Sequence, residues 1–273
     1  MKKIFNKFFL IFKKPVNPDI DQLIKRRTII SFLYFSFAIV IAFLSWSWLI
    51  HQPESKAALK PLREAMKVNE KLFGGLFYDN NHLAPLFDKS KRAKEIRVNG
   101  DIGMGDDFDE DSWSLKVVRA PGDTLFISLD DIKKLPKTEI VFDFKCVEGW
   151  DQVSHWGGVK FSDFIEKYNL GTTDKLKADT KNFSNLYLYT GLVTPDEEYY
   201  VGMDMPSMMH PQTLLCYEMN GEELDWEQGY PLRLITTVKY GVKSIKRIGT
   251  IFFSNDPPPD YWYENGYDYY LGL

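Results

Sequence analysis

Cys146 ends an alternating apolar run. Ile140, Phe142 and Phe144 share one side of a strand whose continuation, Lys145-Cys146-Val-Glu-Gly149-Trp150, breaks at the glycine. A strand that delivers a thiol to a turn can hold it rigidly against a partner. Three chemistries are open to such a thiol: ligand to a soft metal, nucleophile, or a small apolar side chain packed in a core. Nucleophilic use needs a base, and His155, nine residues on across a glycine turn, is the candidate. Further along, Arg233 stands in Pro-Leu-Arg-Leu, between apolar neighbours where a guanidinium needs an anionic partner. Asp107, Asp109 and Asp111 alternate as in a calcium loop. The glycine and the late glutamate of that motif are missing, so they read as a solvated loop.

The elements that would position these groups are short. Strands are expected at Trp113 to Val118, from Leu125 (followed by a short helix up to Leu135), at the Cys146 strand, at Leu186 to Thr190, at Leu232 to Val238 and at Ile248 to Phe253. Gly157-Gly158 precedes an amphipathic helix over Val159 to Tyr168. Pro211 to Met219, which contains Cys216, reads as helical, and Asn220-Gly221 makes a turn. Short strands mixed with scattered helices, without strand–helix alternation, predict an α+β fold. The tail from Pro257 is too aromatic for a disordered end and should pack back.

One segment departs from ordinary globular composition. Residues 28–50 run for 23 positions without a charge, long enough to cross a bilayer, with Trp46 and Trp48 suited to an interface. Residues 1–27 carry eight Lys/Arg against two Asp; with −4 on the whole chain, about −10 is left on residues 51–273. By the positive-inside tendency the expectation is a single-pass membrane protein with a cytoplasmic N-terminus and residues 51–273 across the membrane. The acidic remainder argues against nucleic acid. Phe5, Phe8, Phe9 and Phe12 fit either an amphipathic helix on the inner leaflet or a basic tail. Arg26-Arg27 fits either a twin-arginine export signal or plain topology determination. No small-residue cleavage site follows, so the segment is expected to stay as an anchor. Cys146 and Cys216 are the only cysteines. They could form one bridge, but not a disulfide framework. The expected organisation is a basic segment (1–27), an anchor (28–50), a spacer and irregular lead-in (51–94) and a folded domain (95–273).

Cys146-Val-Glu-Gly-Trp150, Trp156-Gly-Gly158, His210-Pro211, Gly229-Tyr-Pro-Leu-Arg233 and Tyr240-Gly-Val-Lys243-Ser-Ile-Lys246, in this order and at this spacing, resemble the molybdopterin domain of the sulfite oxidase family, including its methionine-sulfoxide reductase type. The resemblance implies a sulfite oxidase-like molybdopterin-binding fold over about residues 95–273. It also implies Cys146 as the protein ligand to molybdenum, in a molybdopterin cofactor. Carried over position by position, Asn99, Thr190, Gln228, Arg233, Ser244, Ile245 and Lys246 fall on cofactor-binding positions, with Gln228 standing where relatives have His or Asn. Tyr270 is the expected donor on the substrate side, with Tyr267 second. Arg97 lies near the position of an active-site arginine, but reads better as an ordinary surface charge.

The implied activity is two-electron oxygen-atom transfer on a small S- or N-oxide, sulfoxide reduction or sulfite-like oxidation, tilted toward a neutral oxide by the aromatic tail. Against the sulfite oxidases of animals, the expectation is a chain with neither a haem domain nor a C-terminal dimerisation domain, and the resemblance implies a bacterial inner-membrane protein with its domain in the periplasm. A membrane or c-type cytochrome is therefore the expected electron partner. The rival expectation is a non-catalytic relative serving as a membrane-associated binding or assembly subunit.

Overall fold

The computed structural model describes residues 19–77, 82–174 and 176–272. Most of the basic N-terminal segment, its four phenylalanines included, and the Asn80-Asn81 breaker lie outside them. The chain divides into a unit of Met1–Ser55 with Leu59–Leu62 and a unit of Lys56–Ala58 with Arg63–Leu273.

In the first unit, helix α1 (Ile20–Ile50) starts on Asp19, whose side chain accepts from the Ile20 N–H at 2.7 Å. It begins eight residues before the uncharged run and takes in Lys25, Arg26 and Arg27. Among the described residues it is the one helix long and apolar enough to cross a membrane. Helix α2 (Lys60–Phe77) has its first turn in this unit and belongs to the second unit from Arg63 onward; it runs through Gly74-Gly75, which local sequence marks as a breaker.

The second unit is built on two five-stranded sheets. One holds β1 (Leu115–Ala120), β2 (Asp123–Ile127), β5 (Tyr189–Val193), β6 (Tyr200–Asp204) and β10 (Thr250–Ser254), in the order β2-β1-β10-β5-β6. Its pairs are antiparallel except β1 with β10. The other holds β3 (Lys137–Lys145), β4 (Asp151–Lys160), β7 (Leu214–Met219), the two-residue β8 (Glu222–Glu223) and β9 (Arg233–Ile235). Its path is β8-β7-β4-β3, and β9 also pairs with β7. Short helices α3 (Leu129–Lys133), α4 (Phe161–Tyr168), α5 (Met205–Met208) and α6 (Tyr261–Glu264) close the ends. Mixed sheets with scattered helices make the α+β fold expected from the strand pattern.

Two local readings are corrected. Residues 214–219 form the central strand β7 rather than a helix; pairing to β4 and β9 on either side overrides a pattern that local periodicity cannot separate from a buried helix. The Gly157-Gly158 pair is not a helix lead-in but the far end of β4, bulged where it meets β7. A Cβ on Gly158 would stand 2.1 Å from the Leu215 carbonyl oxygen, so only a glycine admits this backbone approach. Asn220 and Gly221, both at positive φ (58° and 89°), make the expected turn between β7 and β8.

The main core gathers Leu115, Val117, Phe161, Phe164, Leu192, Leu215 and Ile251 between the sheets and α4. A smaller cluster of Ile140, Phe142, Trp156, Cys216 and Ile235 lies within the sheet that carries Cys146. Because β4 leans on β7 through Gly158, the Gly158→Val chain should unfold with about 2–3 kcal/mol less stability in chemical denaturation, with no effect expected from Gly122→Ala beyond its positive φ.

Candidate active site

Cys146 sits one residue beyond β3, in a turn closed by its own N–H donating to the Trp150 carbonyl (2.9 Å) and the Gly149 N–H donating to the Cys146 carbonyl (3.1 Å). Gly149 holds φ at 87°, which a side chain would resist. The thiol faces a cleft of about 390 Å³. The period of two along β4 sends Gln152, Ser154 and Trp156 to the same cleft. His155, on the other parity, is paired in register with Val141 and lies 3.6 Å from Glu139 Oε1. It faces away from the thiol, so the base required by a cysteine nucleophile is not there.

Arg233 reaches the cleft from β9, in register with Cys216 of β7. Its Nη1 donates to the Gln228 carbonyl (2.8 Å) and to Gln228 Oε1 (3.0 Å), its Nη2 donates to the Ser244 carbonyl (3.3 Å), and its guanidinium lies 4.7 Å over the Trp156 ring. Among the described residues no carboxylate is ion-paired with it, and its hydrogen bonds go to neutral oxygens. Its Nε and the Ser244 hydroxyl are buried without a hydrogen-bond partner among the described residues. Burial pushes Arg233 down to about 10 and, together with Arg233 itself, pushes Lys246 down to about 8. Lys246 donates from Nζ to the Gly100 carbonyl at 2.8 Å. Gly229, at φ 100°, lets that segment pass; a Cβ there would stand 2.7 Å from Lys246 Cβ.

The loop before the first sheet covers the thiol. Asn99 Nδ2 lies 3.8 Å from Cys146 Sγ and donates to Glu148 Oε2 at 3.2 Å, while Trp150 Nε1 donates to the same oxygen at 2.9 Å. These two donors, the indole foremost, hold the Glu148 carboxyl below the usual range. The loop is tied down further by Gln152, which accepts from the Arg97 N–H and donates to the Glu95 carbonyl, both at 2.9 Å. Arg97 lies 4.8 Å over the Trp150 ring.

Six of the nine residues expected from sequence therefore meet on one cleft: Asn99, Cys146, Gln228, Arg233, Ser244 and Lys246. Three do not. Thr190 is fully buried in β5 and donates to Met205 Sδ at 3.9 Å, because strand alternation turns it toward α5. The Ile245 side chain lies in the main core, its carbonyl accepting from the Leu234 N–H at 2.9 Å. Tyr270 lines a second cavity with its ring under the Lys239 ammonium. The Tyr270 and Leu271 N–H groups both donate to Asp268, and the Tyr240 N–H donates to the Leu271 carbonyl; together they turn the tail that way. The tail tyrosine on the cleft is Tyr267, beside Trp262 at 5.1 Å.

The sequence reading passed over Glu148 and Trp150, although both stand inside the Cys146 motif, and it took Arg97 for a surface charge, whereas Arg97 lines the cleft. Cys216 is a core residue whose burial pushes its thiol up, and both cysteines are free.

A thiol at one end, a buried cation with an unmatched N–H, a free hydroxyl and a second cation across a cavity match a group with sulfur and metal at one end and phosphate at the other. The residues present fit a molybdopterin.

Comparison with known proteins agrees. Residues 102–262 match the family described as oxidoreductase molybdopterin binding domain. A putative protein-methionine-sulfoxide reductase subunit, YedZ1, of Azospira oryzae is 30% identical over 200 residues, covering 72% of this chain and 71% of that one. The protein-methionine-sulfoxide reductase catalytic subunit MsrP of Campylobacter jejuni is 31% identical over 169 residues, 59% of this chain and 55% of its own, so the match spans about half of that relative. The sulfane dehydrogenase SoxCD of Paracoccus pantotrophus overlaps 55% of this chain and 40% of its own, at a TM-score of 0.43 and 15% identity. The family match covers more than half of the chain and contains the thiol and both cations: the protein belongs to the molybdopterin-binding oxidoreductases of the sulfite oxidase family.

Proposed function

We propose that the chain is a membrane-anchored reductase of a neutral sulfoxide. The observation that carries this reading is the cleft that joins Cys146 to Arg233 and Lys246 behind aromatic walls. Cys146 would hold the molybdenum through Sγ, and Arg233, Ser244, Lys246 and the Gln228 amide would hold the phosphate and pterin. When bound, the cofactor supplies the two-electron redox couple and the site of oxygen exchange.

The chain's own residues do the rest. Asn99, fixed by Glu148, aims its amide at the thiol sulfur and limits how much charge the sulfur donates. The Cys146-to-Trp150 turn holds Sγ still. Gln228 orients the Arg233 fork and leaves the Nε–H free for an anion.

Trp150, Tyr199, Trp262 and Tyr267 wall the cleft with rings that exclude water and suit an uncharged, polarisable sulfur substrate. Sulfite would call for an uncommitted cation. Arg97 is instead stacked on Trp150, and its charge faces the Glu148 carboxylate. The relatives' names point to methionine sulfoxide as the substrate. Helix α1 would span the inner membrane and leave this domain in the periplasm, and a separate haem protein in that membrane would supply electrons.

Purified from cells that make the cofactor, the chain should hold about one molybdenum and one pterin, and should reduce protein-bound methionine sulfoxide with a reduced viologen dye while leaving sulfite untouched. Cys146→Ala should lose all turnover. A wild-type chain without molybdenum, or one that oxidises sulfite and ignores sulfoxides, overturns the reading. Tyr267→Ala should raise KM about tenfold, equal to ~1.4 kcal/mol. Tyr270→Phe, off the cleft, should leave kcat/KM within about twofold.

A further inference from the structure

Helix α2 has three faces. Stepping at the helical 100° per residue, Arg63, Met66, Glu70 and Gly74 fall on the side packed on the catalytic unit. Arg63, 2% exposed, is the clamp. Its guanidinium donates to the backbone carbonyls of Lys56, Tyr263 and Tyr267 and lies 4.2 Å over the Tyr263 ring. The second side carries Glu64, Lys67 and Lys71, all exposed, with Lys67 Nζ 3.1 Å from Glu64 Oε1. The third side is apolar and exposed: Val68 is 57% exposed, Leu72 51% and Leu76 67%. Three large apolar side chains on one exposed stripe need a cover.

We propose that this stripe lies on the lipid bilayer surface, its apolar side chains among the acyl chains and its lysines at the headgroups. The proposal rests on the reading of α1 as a membrane span. Two observations select lipid over a protein partner.

The first is the tether. Nine residues connect Ile50, the end of α1, to Lys60, and at full extension they reach ~30 Å. A spanning α1 therefore keeps the start of α2 within reach of the interface. The second is charge. Lys60, Lys67 and Lys71 are exposed on α2 beside the stripe, within a domain of about −10. Exposed basic residues beside an apolar stripe mark an interfacial helix, drawn to anionic lipid although the domain as a whole is acidic. Because Arg63 binds the Tyr263–Tyr267 backbone, the docked helix would also fix the Trp262–Tyr267 wall of the cleft relative to the bilayer, which suits exchange with a membrane-bound electron donor.

The test uses the full chain in phosphatidylcholine vesicles containing a third phosphatidylglycerol, with a nitroxide at Leu72→Cys or Lys67→Cys and the wild-type chain as the labelling blank. The Leu72 label should collide several-fold more with oxygen, and several-fold less with a water-soluble nickel chelate, than the Lys67 label. Removing phosphatidylglycerol should narrow the difference. If the chain resists carbonate extraction but the Leu72 label meets the chelate as freely as the Lys67 label, the docking proposal fails while the anchor stands. If the Leu72 label is shielded from both reagents, a protein covers the stripe and the proposal also fails. Release of the chain by carbonate overturns the anchor, and the docking with it.

Discussion

A buried guanidinium with no ion-paired carboxylate among the described residues is the constraint on which the second sheet is built. Arg233 is 4% exposed, its hydrogen bonds go to neutral carbonyl and amide oxygens, and its Nε–H stays unmatched among the described residues. Uncompensated burial of a charge costs several kcal/mol, and burial, only partly offset by Cys216 and the more distant Asp225, takes this group down to about 10. A fold keeps such a cost when an anion arrives to offset it. The free Ser244 hydroxyl and the depressed Lys246 beside it point to the same anion, and the cavity between them and Cys146 gives it room.

The strands make this arrangement rigid. β7 is gripped on one edge by β4 through the glycine contact at Gly158 and on the other by β9, so Arg233 is held in register while β4 aims Trp156 beneath it. β3 ends at the thiol, and the tight turn to β4 sets its direction. Away from the cleft, Lys243 and Asp260 form a buried pair at 2.5 Å that joins the loop before Ser244 to the aromatic tail, so the tail packs back as its composition requires.

Sequence carried the chemistry better than the elements. Cys146 and Arg233 stood out by residue type and place, whereas their roles toward a cofactor, and Lys246, came from the resemblance. Asn99 and Gln228 were legible only through resemblance. What failed did so for local reasons. Period and propensity cannot tell a buried strand such as Leu214–Met219 from a helix, because its partners are distant in sequence. Choosing between Tyr267 and Tyr270 required the turn set by Asp268, and recognising Arg97 as a cleft residue required the Trp150 ring it stacks on. The open apolar stripe of α2 was hidden by the glycine pair that reads as a stop.

The central claim is that the Arg233 charge exists for the phosphate of a bound cofactor, and pterin analysis of Arg233→Met tests it most directly. Replacing an unpaired buried charge with an apolar side chain of similar length should leave the cofactor-free chain as stable as wild type or more so. The account predicts that this well-folded variant carries no pterin. A variant that melts like wild type and still holds a full complement of pterin would contradict it.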